Sequence, residues 1–142
     1  MAARHARHYA EIRRRFRSVG PVRLFGFKLA RLAPGRATLT LEAGPRHRHP
    51  HGVHGGVLAT LADTALAMAI FTRFSSLVRI VTVQMTINYV APHWSGRLEA
   101  NARVLRLGKR LAVGEVEIRN ARRELVAKSL LTYSIRAPEE QT

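Results

Sequence analysis

Residues 54–71 read HGGVLATLADTALAMAIF. From Gly55 onward the segment is apolar nearly all round, with only Thr60, Asp63 and Thr64 polar. A helix of that composition is buried, not laid on a surface, so the pattern predicts a helix over 55–71 in the interior. Asp63 interrupts the run, which is also too short to cross a bilayer, and no membrane partner is expected. The two glycines follow His54 directly, where first-turn N–H groups lack intrahelical acceptors and sit at the positive end of the helix dipole.

Outward from this helix the texture is that of strands. Candidate strands at 78–90, 97–107, 110–119 and 125–136 are parted by turn-forming residues at 92–96, 108–109 and 120–124, and read as an antiparallel meander. Upstream, strands at 25–32 and 36–41 flank Ala33-Pro34-Gly35. In the second of these Ala37, Leu39 and Leu41 alternate with Thr38 and Thr40, the pattern of a half-buried strand. Residues 44–54, GPRHRHPHGVH, read as a loop. A sheet of this size must cover an apolar element. The expected class is therefore α+β, an antiparallel β-sheet wrapped around a long central helix, with one domain over 20–138 and a tail at 139–142. In the segment 1–19, Tyr9, Ile12, Phe16 and Val19 recur at helical spacing and make an apolar stripe on a basic amphipathic helix.

The chain has 142 residues, which fits one domain. It contains no cysteine, which removes disulfides, cysteine-zinc sites, iron–sulfur ligation and thiol nucleophiles together. The formal net charge is +15, and 21 of the 24 cations are arginine. Dispersed along the chain, they fit a solvated surface and attraction to anionic small molecules. Nucleic acid is disfavoured, because the few aromatics do not interleave with the basic runs as stacking platforms would. The Arg-rich N-terminus lacks the serine enrichment of a transit peptide and no secretory apolar region is present, so a cytoplasmic location is expected.

Asp63 is the sole aspartate and sits within the most apolar segment. A buried carboxylate is costly; either water or an arginine satisfies it on a narrow polar edge, or its environment tunes it for work as a base or nucleophile. Gly56, Thr60, Asp63 and Ala67 fall on one helical stripe of low relief, along which a ligand or another chain can approach the carboxylate. Gly55 and Gly56 make either a tight turn or an oxyanion site. His47, His49, His51 and His54 form H-x-H-x-H-x-x-H, but this loop spacing does not match the helical pair of hydrolytic zinc sites, and no metal is expected. On strand 78–90, Ile80, Thr82, Gln84, Thr86 and Asn88 share one face, and Val81, Val83, Met85, Ile87 and Tyr89 form the packing face. Lys109 and Arg110 stand at a hairpin tip as candidate phosphate contacts.

The stretch HGGVLATLADTALAMA at 54–69, with TVQMTINYVAP at 82–92 and the run from Gly96 through Gly108-Lys109-Arg110-Leu111 to Tyr133, resembles hotdog-fold acyl-CoA thioesterases of the phenylacetate-degradation and 4-hydroxybenzoyl-CoA type. The resemblance covers roughly residues 20–136. It implies a hotdog fold assembled as a homodimer or homotetramer, with active sites at the interface between subunits. By motif position it implies Asp63 as catalytic general base or nucleophile, and the Gly55 N–H as the group that polarises the thioester carbonyl. His54 would hold the substrate end of the same turn, and Thr82, from the partner chain, would position the hydrolytic water. Gly56, His49, Arg79, Lys109 and Arg110 are the implied contacts to acyl-CoA. Coenzyme A is then part of the substrate and no separate cofactor is expected. The acyl group is expected near Leu58, Leu61 and Leu66. Two positions depart from the family. Arg48, with His49 beside it, stands where these enzymes carry an Asn or Gln, and Gln84 stands where many carry an acid. Two alternatives stay open: acyl carrier protein, whose acidity would suit a basic surface, and a non-catalytic acyl-CoA-binding protein.

Overall fold

In a computed structural model, which describes residues 1–136, the chain runs α1 (Ala2–Ser18), α2 (Gly20–Phe25), β1 (Lys28–Ala33), β2 (Arg36–Ala43), β3 (Arg48–His49), β4 (Gly52–Val53), α3 (Gly55–Phe71), β5 (Arg79–Tyr89), β6 (Gly96–Leu107), β7 (Leu111–Asn120) and β8 (Leu125–Arg136). The tail expected at 139–142 lies outside the described residues. The first strand starts later than its apolar pattern suggests. Pro21 sits in the first turn of α2, and Gly26 ends that helix in the left-handed conformation, at φ 76°. The loop before α3 also holds more structure than its Gly and Pro content implies. A 3₁₀ turn (Pro45–His47) leads into the β3–β4 hairpin, which pairs Arg48 with Val53 and His49 with Gly52.

Six strands form one antiparallel sheet in the order β1-β2-β6-β7-β8-β5. This corrects the expected four-strand meander: only β6, β7 and β8 follow one another, while β5 crosses the sheet to pair with β8 at the far edge. The β5–β6 link does not close as a hairpin. The His93 carbonyl in that link accepts the N–H of Val53, tying the crossover to the loop that enters α3.

The concave face of the sheet covers α3. Leu39 and Leu41 of β2, Leu98, Ala100 and Ala102 of β6, Ala112, Val116 and Ile118 of β7, and Ala127 and Leu131 of β8 are all buried, as are Leu58, Leu61, Ala62, Ala65 and Leu66 of the helix. This is the hotdog architecture, an α+β fold with a sheet curled around one long helix. Leu61 and Leu66 are fully buried, so they belong to the core and not to an acyl-binding surface. The convex face carries cross-strand ion pairs, among them Arg103–Glu115 at 2.6 Å and Lys128–Glu117 at 3.1 Å, and part of the arginine excess is solvated there. On α1, Ile12 and Phe16 are buried, and His8, also buried, lies with Nε2 2.8 Å from the carbonyl of Phe71 at the end of α3.

At Gly114 in mid-β7 the helix lies too close to the sheet for a side chain. A Cβ there would lie 2.3 Å from Leu66 Cδ1 and 2.8 Å from the Arg103 carbonyl oxygen. One contact is a core side chain and the other is backbone, so neither can simply swing aside. Gly114→Ala is expected to lower unfolding stability by about 1–3 kcal/mol, the usual cost of overpacking a core, as measured by urea denaturation. Combined with Leu66→Ala, the loss should be smaller than the sum of the two single variants, because the opposing methyl groups are gone.

Candidate active site

Asp63 lies on the one face of α3 that the sheet leaves uncovered. Thr60, Asp63, Thr64 and Ala67 are partly exposed and Gly56 is exposed, whereas the residues between them are mostly buried. The carboxylate is gripped from two strands. Thr82 Oγ1 of β5 donates to Asp63 Oδ1 at 2.8 Å. The Tyr133 hydroxyl of β8 donates to the same oxygen, and it also lies 2.6 Å from the Asp63 carbonyl oxygen. Thr82 and Tyr133 are cross-strand partners in the β5–β8 ladder, so one rung of the sheet supplies both donors. Oδ2 makes no hydrogen bond among the described residues. Asp63, Thr64, Ala67, Met68, Phe71, Ile80, Thr82 and Tyr133, with Arg15 and Val19 from the N-terminal segment, line a cleft of about 250 Å³.

Thr82 reaches Asp63 because β5 is not a regular strand. Its pairing with β8 skips Val83: Thr82 opposes Tyr133 and the next pair is Gln84 with Thr132. This one-residue bulge reverses the phase of the strand. Ile80 and Thr82 therefore face the helix together with Met85, Ile87 and Tyr89, while Val81 and Val83 are 50% and 59% exposed. Plain alternation had assigned Val81 and Val83 to the packing face, and the bulge corrects that. The Thr82–Asp63 bond is also made within one chain, where the resemblance had a partner subunit supply the threonine.

Tyr133 is the residue that sequence reasoning missed. It is 3% exposed at an inward strand position, where a tyrosine is hard to tell from core. The available signal is chemical, since a buried tyrosine hydroxyl needs a partner and Asp63 needs donors. Burial first, then the neighbouring Asp63 charge and its hydrogen bond, push the ionisation of Tyr133 far above the ordinary tyrosine value.

The second group of candidate residues sits at the start of α3. His54 is the N-cap, its Nδ1 accepting the N–H of Gly56 at 2.9 Å and its carbonyl accepting that of Val57. The N–H of Gly55 has no acceptor among the described residues. A side chain at Gly55 is excluded by Tyr89, whose ring would lie 2.9 Å from a Cβ and whose hydroxyl donates to the Gly55 carbonyl at 2.8 Å. The glycine thus serves packing as well as access. His49, His51, Gly52, Val53, Gly55, Leu58, Tyr89 and His93 contribute to the walls of a cleft of about 320 Å³.

The histidine run divides by role. His47 is buried, with Nδ1 accepting the Gly44 N–H and Nε2 donating to the Phe25 carbonyl, so it holds the loop to α2. His49 faces the cleft, and Arg48 turns away to lie 4.5 Å over the Trp94 ring. No cluster of three metal-ligating side chains occurs among the described residues. Arg79 opens β5 opposite Arg136, and Lys109 and Arg110 form the β6–β7 turn, where the Arg110 carbonyl accepts the N–H of Ile135. Strand pairing brings all four cations to one end of the sheet, the end towards which Thr82 and Tyr133 lie.

Because unfolded tyrosine ionises near pH 10 and Tyr133 in the fold does so only at higher pH, the unfolded state releases this proton first as pH rises. Stability linked to Tyr133 is therefore present below about pH 10 and is lost progressively above it. Guanidinium unfolding at pH 9 and pH 11 should show a smaller alkaline loss of stability in Tyr133→Phe than in the wild type.

Similarity to known proteins agrees with this geometry. The thioesterase superfamily profile matches residues 51–127, more than half of the chain. A variant of the phenylacetic acid degradation protein PaaI of Thermus thermophilus is 35% identical, with a TM-score of 0.73 over 80% of this chain and 96% of that one. A thioesterase of Haemophilus influenzae is 26% identical, with a TM-score of 0.82 over 89% of this chain and 90% of that one. The medium/long-chain acyl-CoA thioesterase YigI of Escherichia coli is 28% identical over 96 residues, which are 58% of this chain and 62% of that protein. The matched segment contains both Asp63 and the Gly55 turn, and on this sequence and structural evidence the chain belongs to the hotdog-fold thioesterase superfamily.

Proposed function

We propose that the protein hydrolyses acyl-CoA thioesters to a free acid and coenzyme A, in a site shared between two copies of the chain. The observation that carries this reading is the Asp63 carboxylate, fixed through Oδ1 by Thr82 and Tyr133 while Oδ2 stays unbonded at a cleft. Such a group can accept a proton from a water as that water attacks the thioester carbon. The carbonyl π electrons move onto oxygen, and collapse of the tetrahedral intermediate breaks the C–S bond. The departing thiolate takes up a proton. The acyl-CoA substrate named for the similar Escherichia coli protein supports the choice of thioester, and the cations at 79, 109, 110 and 136 suit the phosphates of coenzyme A.

One chain cannot complete the reaction. Gly55 and Asp63 are eight residues apart on one helix, about 12 Å at 1.5 Å per residue, and they open into different clefts. The free N–H that would take the carbonyl oxygen and the carboxylate that would take the proton must therefore come from different copies. A two-fold pair with antiparallel α3 helices would set the Gly55 turn of one beside Asp63 of the other across the small-residue stripe. The free edge of β5, with exposed Val81 and Val83, offers backbone for continuing the sheet into the partner. In this arrangement Asp63 keeps its own Thr82.

Thiol release from short, medium, long and aryl acyl-CoA esters is expected from the wild type, and a loss of about 10³-fold or more from Asp63→Asn with folding intact. Absence of release from every ester would reject hydrolysis. A mixed preparation of Asp63→Asn and Gly55→Ala, refolded together, should regain activity that neither variant has alone, because a mixed pair holds one intact site. No regain would reject the shared site.

A further inference from the structure

We propose that Tyr133 is a positioning residue for catalysis: its hydroxyl holds Oδ1 of Asp63, so that the carboxylate meets the attacking water through Oδ2 and in one orientation. The proposal rests on the thioesterase reading and deepens it, by naming the group that aims the base. Three observations carry it. The first is that the phenol is seated on Asp63 twice over. Its oxygen bonds Oδ1 and also lies 2.6 Å from the main-chain carbonyl oxygen of the same residue. A hydroxyl has one proton to give, and the charged oxygen is the stronger acceptor. Held between the side chain and the backbone of one residue, the hydroxyl fixes the carboxylate against its own helix.

The second is the asymmetry of the two donors. Tyr133 belongs to β8, which has β7 on one side and β5 on the other, and it pairs with Ala112 as well as with Thr82. Thr82 belongs to the edge strand, one residue before the bulge at Val83. The anchor with ladder partners on both sides is the tyrosine. At Ala127 and Leu131, other buried positions of β8, the core is filled without any polar group. A phenylalanine at 133 would fill the core in the same way, so it is the hydroxyl that calls for a reason, and a buried tyrosine hydroxyl needs a partner.

The third is that the hydroxyl keeps its own proton. Burial, and then the Asp63 charge, push its ionisation far above the ordinary tyrosine value, so it remains a donor while the carboxylate is charged. Thr82 donates to Oδ1 as well. That oxygen therefore has two donors, and the proton leaving water is directed to Oδ2. As the water oxygen bonds to the thioester carbon, its proton passes to Oδ2; when the C–S bond breaks, the departing sulfur takes that proton. Tyr133 touches none of the reacting atoms in this scheme and acts through Asp63.

The test is Tyr133→Phe in the full-length protein with a turned-over acyl-CoA. A misplaced base should lower kcat by about tenfold or more, with KM within about threefold of the wild type because ground-state binding is untouched. Donation to a carboxylate favours its charged form. Loss of the donor should therefore move the acid limb of the kcat/KM profile to higher pH, by about one pH unit. A 3-fluorotyrosine at position 133 fills nearly the same space and is the stronger donor, so it should move that limb to lower pH; it decides the matter alone where phenylalanine unfolds the chain. Leu131→Val, at a fully buried position of the same strand, removes packing without removing a donor and should leave the limb in place. An acid limb that stays put in both Tyr133 variants, or that moves equally in Leu131→Val, overturns the role of Tyr133 and leaves the thioesterase reading intact. A kcat in Tyr133→Phe within about twofold of the wild type does the same. No turnover by the wild type overturns both.

Discussion

An apolar helix that carries one carboxylate sets the terms for the rest of this molecule. Nearly every face of α3 must leave water, and a single curled sheet can cover only part of it. The alanines of β6 and β7 and the bare backbone at Gly114 let the helix sink onto the sheet, while α1 closes over its C-terminal end through His8 and Phe16. What stays open is a strip of small and polar residues from Gly56 to Ala67. The carboxylate is affordable there because two hydroxyls reach it from the neighbouring rung of the sheet, and hydrogen bonds to a charged group are worth more than those between neutral ones.

The helix and its carboxylate were legible in the sequence because both are extremes: one long apolar run, and one aspartate inside it. The glycine turn was legible for the same reason. Strand β5 was not. Its composition alternates cleanly through Val81, Thr82, Val83 and Gln84, and nothing in it marks Val83 as the residue left out of the ladder. A bulge without glycine leaves no local signature; it is imposed by the need to keep both Thr82 and Met85 facing inward. The place of β5 at the far edge was hidden as well, since adjacent strands with a short link ordinarily pair. Tyr133 went unnoticed because inward aromatic residues on strands are common, and its partner lies 70 positions away.

The loop of histidines shows how one composition can serve separate ends. His47 is consumed by structure, holding the Gly44 N–H and the Phe25 carbonyl. His54 caps the helix, and His49 lines a cleft with its Nδ1 accepting the His51 N–H. The basic residue beside it is diverted onto Trp94, so the approach to the helix start is lined by imidazole and not by guanidinium.

The crossover that places β5 beside β8 also fixes an order of events during synthesis. The chain makes α3 and β5 early, yet β5 finds its hydrogen-bonding partner only when the last strand has been made. A nascent chain that ends before β8 can bury much of α3 against β2, β6 and β7, but it holds Asp63 with neither Tyr133 nor a seated Thr82. During synthesis, then, the carboxylate can gain the Tyr133 hydroxyl only after β8, the last strand, has been made.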